Sequence, residues 1–299
     1  MLVLIRRRLY LSQIIKPTSF PVPIIIVGNI TVGGNGKTPV VIAIQFWLKQ
    51  LGYQVGIVNR GYKSGAENEL LILNAANTSP LAGDEANMLS ELCTCPIGIG
   101  ADRVAVTEHL LSQYPDVDCI LADDGLQHYQ LERDIEIAIK RERAMGNGFC
   151  LPAGPLRERR SRLQQVDLVI DRDSEDVKEN FGLLWQLEQP EQTCTLTSFS
   201  GQTVHALAGI GLPELFFQAL ETEGLKVVPH AYEDHHPFEL QDIPTEPDYP
   251  ILVTHKDAVK LRQFRNKNIW VVPLELQLSD DVQYQLKNLL QKVRKARHG

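Results

Sequence analysis

The stretch Val27-Gly28-Asn29-Ile30-Thr31-Val32-Gly33-Gly34-Asn35-Gly36-Lys37-Thr38-Pro39 constrains this chain more than any other. It follows the apolar run Pro23-Ile24-Ile25-Ile26 and opens an amphipathic segment, Val40 to Gln50. The predicted order is strand, glycine-rich turn, helix, and the strand before and helix after give the motif its weight. The backbone N–H groups of Gly33, Gly34, Asn35 and Gly36 can wrap a phosphate while the helix N-terminus adds positive potential. Lys37 reaches terminal phosphates, and the Thr38 hydroxyl can ligate Mg²⁺. Thr31 stands where the usual phosphate-loop pattern has its first glycine.

Apolar runs suited to buried strands recur at 24–27, 54–58, 69–73, 97–99, 117–122, 135–139 and 166–170, with helical patterns at 40–50, 85–92 and 103–113. This alternation predicts an α/β fold with a mainly parallel sheet, in which ligands sit at strand ends. An acidic, irregular stretch within 175–192 reads as a connection. A second α/β set follows, with strands at 204–208, 226–229, 251–253 and 269–272, a helix at 213–223 and a basic amphipathic helix at 281–296. The expected organisation is therefore a phosphate-loop domain over 1–175, a connecting region over 176–200 and a smaller α/β domain over 201–299. At 299 residues the chain has room for two domains, at about 150 residues each. Gly209-Ile210-Gly211 follows a strand but lacks a third glycine, and reads as a turn.

The net charge of −7 argues against nucleic-acid binding by bulk electrostatics. Residues 1–20 go the other way: Arg6, Arg7, Arg8 and Lys16 face no acidic residue there. Mixed with Leu, Ile and Tyr, they read as a basic interfacial helix for an anionic membrane or as an ordinary first helix. No run of about 18 apolar residues exists, so no membrane-spanning helix is predicted. The five cysteines sit mostly in apolar segments and lack zinc spacing, which fits reduced thiols in a cytoplasmic compartment.

The run Cys119-Ile120-Leu121-Ala122-Asp123-Asp124 is an apolar strand ending in acids, as a phosphate-loop enzyme uses to hold Mg²⁺. Asp84, at a helix start after Gly83, is either an N-cap or a general base. Asp234-His235-His236 places two imidazoles in a polar turn. Adjacent histidines point in different directions, which favours a histidine bonded to a carboxylate over a metal site with His230. The stretch Leu156-Arg157-Glu158-Arg159-Arg160-Ser161-Arg162 concentrates arginines suited to phosphate oxygens.

Taken in order, these motifs resemble the tetraacyldisaccharide 4'-kinase (lipid A 4'-kinase) family. The resemblance rests on residues 27–39, Arg60-Gly61-Tyr62, Gly83-Asp84-Glu85, Asp123-Asp124-Gly125-Leu126-Gln127-His128, Arg133-Asp134-Ile135-Glu136 and Gly146-Asn147-Gly148. It continues through Leu151-Pro152-Ala153-Gly154-Pro155-Leu156-Arg157-Glu158, Asp234-His235-His236 and Lys256-Asp257-Ala258-Val259-Lys260. It implies a phosphate-loop NTPase domain, a smaller C-terminal α/β domain, and an active site in the cleft between them. The implied reaction moves the γ-phosphate of ATP to the 4'-hydroxyl of a tetraacyldisaccharide 1-phosphate.

Carried over onto this sequence, the resemblance assigns Lys37 to the β- and γ-phosphates, and Thr38, Asp123 and Asp124 to Mg²⁺. Asp84 would be the base, tuned by His235 or His236. Arg157 and Glu158 would stabilise charge near the transferred group, and Arg60, Tyr62, Gln127 and His128 would contact nucleotide or lipid head group. A peripheral position on the cytoplasmic face of the bacterial inner membrane follows, with no nucleic acid and no obligate protein partner expected. Lys140 and His255 stand where the family usually has an aspartate and a glutamate. A guanine-reading Asn-Lys-x-Asp string is absent, which argues against a GTPase switch.

Overall fold

The computed structural model describes residues 7, 9, 10, 12, 14–33, 36–61, 70–74, 79–234, 236–245, 248–264, 266 and 268–298, with the side chains of residues 80, 84 and 298 excluded. The chain divides into two compact units, Met1–Lys178 with Leu276–Gly299, and Glu179–Glu275.

The first unit is built on a seven-stranded sheet. Its strands are β1 (Ile24–Gly28), β2 (Val55–Asn59), β3 (Leu71–Leu73), β4 (Ile97–Ile99), β5 (Cys119–Asp123), β6 (Ile135–Lys140) and β7 (Leu168–Asp171). They lie in the order β3-β4-β2-β5-β1-β6-β7, all parallel but for the antiparallel β3–β4 pair. Every residue of β1, β2 and β5 is buried, because helices cover both faces of such a sheet. That is why these strands read as continuous apolar runs. Ile25 and Val27 face one side with helix α1 (Lys37–Gln50), whereas Ile24 and Ile26 face the other. Helix α2 (Asp84–Leu92) packs with the first face, and α3 (Arg103–Gln113) sends Val106 and Leu110 into the second.

The second unit holds a six-stranded sheet ordered β10-β9-β14-β13-β11-β12. Its strands are β9 (Leu184–Gln186), β10 (Thr193–Cys194), β11 (Thr203–Ala208), β12 (Lys226–Ala231), β13 (Ile251–Thr254) and β14 (Ile269–Val272). Helix α4 (Pro213–Thr222) follows β11 and α5 (His255–Leu261) follows β13. The chain passes between the units along β8 (Val177–Phe181) and β15 (Leu274–Leu278), which pair with each other.

Two domain expectations are corrected. The stretch 176–200 is no connector, because it supplies β8, β9 and β10. The closing helix α6 (Asp280–His298) belongs to the first unit, not to a domain over 201–299. Val282, Leu286 and Leu290 recur at helical spacing and are buried in the first face's core, each contributing about 1.5–3 kcal/mol. Arg297 locks its end with a forked pair to Asp134, at 2.8 and 2.7 Å, and a bond to the Phe20 carbonyl. Most of the stretch 2–15 lies outside the described residues.

Candidate active site

The glycine turn sits at the carboxyl end of β1, where α1 begins. Gly36 has φ +68°, a backbone that only glycine adopts without strain. Among the described residues no side chain caps α1 and no acid lies in its first turn, an arrangement that suits an anion at a helix N-terminus. Gly34 and Asn35 lie outside the described residues. The turn is laced to the segment that ends in Leu156-Arg157-Glu158: the Val32 N–H donates to the Pro155 carbonyl, and the Arg157 N–H donates to the Ile30 carbonyl. That lacing brings the Arg157 side chain to Asp124 just past the end of β5.

Asp124 is the centre of charge. Arg157 Nη1 lies 2.9 and 2.8 Å from its two carboxylate oxygens, and Lys37 Nζ lies 3.8 Å from Oδ1. Its φ of 50° turns the chain sharply just past β5. The buried Arg103 donates from Nη1 to the Asp124 carbonyl at 2.8 Å. Burial pushes the Asp124 carboxyl up, yet Lys37, Arg157 and Arg103 outweigh it and hold the pKa below its ordinary value. Asp123 is the reverse case. Burial, with the Glu85 carboxylate nearby, raises it to about 7. Its Oδ2 accepts from Asn59 Nδ2 at 3.0 Å, whereas its buried Oδ1 has no hydrogen-bond partner.

Oxygen donors suit Mg²⁺, which keeps few protein ligands and shares phosphate oxygens. The orphaned Asp123 oxygen, the Asp124 carboxylate and the buried Thr38 hydroxyl at the head of α1 fit that need. Among the described residues no three His, Cys, Asp or Glu side chains gather to hold a metal.

The other expected residues scatter. Glu158 is buried and accepts from Gln127 Nε2 at 2.8 Å and Tyr129 Oη at 3.0 Å, with Arg162 Nε 3.6 Å away. Gln127 also donates to the Asn29 carbonyl and approaches Arg157 at 3.4 Å. Glu158 and Gln127 thus brace Arg157 from behind. The four arginines of 157–162 form no single patch: Arg160 pairs with Glu142, and Arg162 with Glu136 and Glu158. Arg60 is exposed just past β2, and His128 is half-buried after β5. Gly83 takes the cap position of α2, so Asp84 is its first helical residue; the Asp84 side chain, Tyr62 and His235 lie outside the description.

In the second unit, His236 Nε2 lies 2.9 Å from Asp242 Oδ2, and His230 Nε2 lies 3.0 Å from His205 Nδ1. Lys140 is paired with Asp171 at 2.7 Å, and His255 meets the Trp185 ring edge-on. Arg103, Asn59 and Glu85 were not singled out from sequence as site residues. Their available signal was position: each stands at a strand end or at the start of the helix that follows.

Known proteins extend this picture. The model of the tetraacyldisaccharide-1-P 4'-kinase (LpxK) family matches residues 1–293. A tetraacyldisaccharide 4'-kinase of Coxiella burnetii is 42% identical over 293 residues, 98% of this chain and 88% of that protein. One from Aromatoleum aromaticum is 42% identical over 294 residues, covering 93% and 87%. The crystal structure of LpxK from Aquifex aeolicus in complex with ATP superposes with a TM-score of 0.82 at 26% identity, over 98% of this chain and 95% of that one. With the family model matching 293 of its residues and relatives covering nearly all of it, the chain belongs to the tetraacyldisaccharide-1-P 4'-kinase family.

Proposed function

We propose that the protein transfers the γ-phosphate of ATP to the 4'-hydroxyl of a tetraacyldisaccharide 1-phosphate, giving the 1,4'-bisphosphorylated lipid. The observation that carries this reading is the convergence of Lys37, Arg157 and Asp124 beside the uncapped N-terminus of α1. Phosphoryl transfer passes through a loose transition state, so catalysis rests on positioning and on neutralising oxygen charge. Lys37 and the amides from Gly33 to Gly36 hold the β- and γ-phosphates. Arg157 is braced by Gln127, itself held by Glu158, and presents a fixed cation to the transferred group. Thr38, Asp123 and Asp124 would hold Mg²⁺, which would neutralise phosphate charge when bound. Asp84 takes the hydroxyl proton as the transfer completes. Arg60, Tyr62 and His128 contact nucleotide or lipid head group.

The acceptor is a lipid, and no described helix is long and apolar enough to cross a membrane. A peripheral site on the cytoplasmic face of the inner membrane fits, with the basic residues of 1–20 meeting anionic head groups. Release from anionic vesicles by modest salt tests that placement.

The decisive measurement is transfer of labelled γ-phosphate from Mg·ATP to tetraacyldisaccharide 1-phosphate in detergent micelles. Asp84→Ala is expected to cut the rate by about 10²–10⁴-fold while ATP still binds. Near wild-type activity in that variant would remove Asp84 from its role, and no transfer by the wild type would overturn the reading.

A further inference from the structure

Asp124 stands beside Lys37 on the β5 flank of β1. On the other flank, beyond β6, the chain leaves β7 at Asp171, and the next residue, Arg172, reaches back to the glycine turn. Arg172 is 7% exposed, and its Nη1 donates to the Gly36 carbonyl at 2.8 Å. The contact is close enough to decide which residue can stand opposite. A Cβ on Gly36 would lie 2.0 Å from Arg172 Nη1 and 3.0 Å from Cζ, so the guanidinium as well as φ calls for glycine there.

Arg172 stands on a well-tied base. Its own N–H donates to the Lys140 carbonyl at 2.8 Å. The Asp171 carboxylate takes Lys140 Nζ at 2.7 Å and the Asp173 N–H at 3.0 Å. The Asp173 carboxylate takes the Glu142 N–H at 2.7 Å, and Asp176 Oδ2 takes the Asp171 N–H at 2.7 Å. A side chain rooted in such a turn presents its guanidinium in a fixed place.

The bond to Gly36 also has a direction. In a trans peptide the carbonyl and the following N–H point opposite ways, so holding the Gly36 carbonyl aims the Lys37 N–H away from Arg172, with the free amides of the helix start. A guanidinium at the positive end of a helix dipole gains nothing from the helix itself. Lys37 brings a charge of the same sign to the same turn. Two cations gathered at that end are explained by an anion that joins them there.

We propose that Arg172 is a positioning residue for nucleotide binding: it holds the Gly36 peptide in its left-handed turn before ATP arrives, so that the amides at the head of α1 are already aimed at the phosphates. The inference rests on the reading that this turn holds the phosphates of ATP, and adds that β7 sets the turn in advance of the ligand. Its effect therefore belongs to ATP affinity and not to the transfer step.

Calorimetric titration of Mg·ATP into the full-length protein, beside transfer to the lipid acceptor, reads binding and chemistry separately. Arg172→Met keeps the length of the side chain without its donors, and should raise the Kd and KM for ATP about tenfold, the worth of one charge-assisted hydrogen bond. The kcat at saturating ATP and the KM for the acceptor should stay unchanged. Arg172→Lys keeps the charge and a point donor but loses the planar fork, so its affinity should fall between the two. A lower melting temperature with unchanged ATP affinity in both variants would make Arg172 a strut between β7 and α1, and would overturn the proposal. A loss confined to kcat would overturn it as well, by placing Arg172 at the transferred group. If Arg172→Met does not fold, Arg172→Lys decides alone, and wild-type affinity in that variant overturns the proposal. A wild type that binds no ATP would instead overturn the reading of the turn itself.

Discussion

Each unit contains a parallel strand that runs into a glycine turn and then a helix, and the two junctions treat their backbone amides differently. After β1, α1 starts without a capping side chain or an acid in its first turn. After β11, the Gly209 N–H donates at 3.0 Å to Asp257 Oδ2. Asp257 is fully buried and is held there by the Thr254 hydroxyl at 2.7 Å and by Lys260 Nζ at 3.6 Å. A Cβ on Gly209 would sit 3.1 Å from Asp257 Oδ1, so glycine is what lets the carboxylate approach. The second junction has supplied its own anion, and the first has left room for one from outside. Glycines before a helix therefore do not make a phosphate site by themselves. What decides is whether another part of the fold has already satisfied the amides.

The sharpest way to test the first half of that contrast is Lys37→Ala. Without the ammonium opposite Asp124, phosphate transfer should fall about a thousandfold, the scale for losing a preorganised charge-stabilising donor. Single-turnover transfer measures it, and a loss of tenfold or less would mean that the turn holds phosphate without Lys37. The second half can be broken with Asp257→Ala. Removing a buried carboxylate that holds the Gly209 amide and the Thr254 hydroxyl should cost about 3 kcal/mol of stability in the second unit. The emptied turn should then resemble the first. Sulfate, compared with chloride at equal ionic strength, should raise the melting temperature of the variant more than that of the wild type. Equal shifts would show that the turn has no latent affinity for anions.

Much of the first junction was legible in the sequence, because it is local: strand, glycines, Lys37 and Thr38 follow one another within a few turns of chain. The reading of Gly209-Ile210-Gly211 as a turn also agrees with its geometry. What was hidden depends on pairings far apart in the chain. The apolar stripe of α6 shows that the helix has a face to bury, but not which sheet will take it, and proximity to β14 suggested the wrong one. Glu158 follows Arg157 directly, so the pair read as one charged unit. Alternation along the segment instead sends the carboxylate inward, to Gln127 and Tyr129.

Asn59 carries no distinctive signal in the sequence, because an amide at a strand end is common. It accepts from the Gly61 N–H at 2.7 Å and donates to Asp123 Oδ2, so it fixes which carboxylate oxygen remains unbonded. Asn59→Ala should therefore raise the Mg²⁺ concentration needed for ATP binding by about 10–100-fold, as loss of a partner behind a metal-binding carboxylate does. Calorimetric titration of ATP at stepped Mg²⁺ reads this without turnover. An unchanged requirement would place Asp123 outside the metal's reach.

The smallest expected effect again contrasts the units, through a second carboxylate that is satisfied internally. Asp242 is held below its ordinary pKa by the Glu239 N–H and by the His236 ring. The folded state therefore keeps this carboxyl ionised to lower pH than the unfolded chain does. Its contribution is present above the ordinary carboxylate range and disappears as pH falls through the folded-state value. Solvent screening at this partly exposed site limits the gain to less than about 1 kcal/mol. Wild type and Asp242→Asn should accordingly differ in denaturant midpoint near pH 7 and converge at acid pH, once the folded-state carboxyl is protonated. A difference that persisted at low pH would assign the effect to the shape of the turn, because an uncharged Asp242 would then still be distinguished from asparagine.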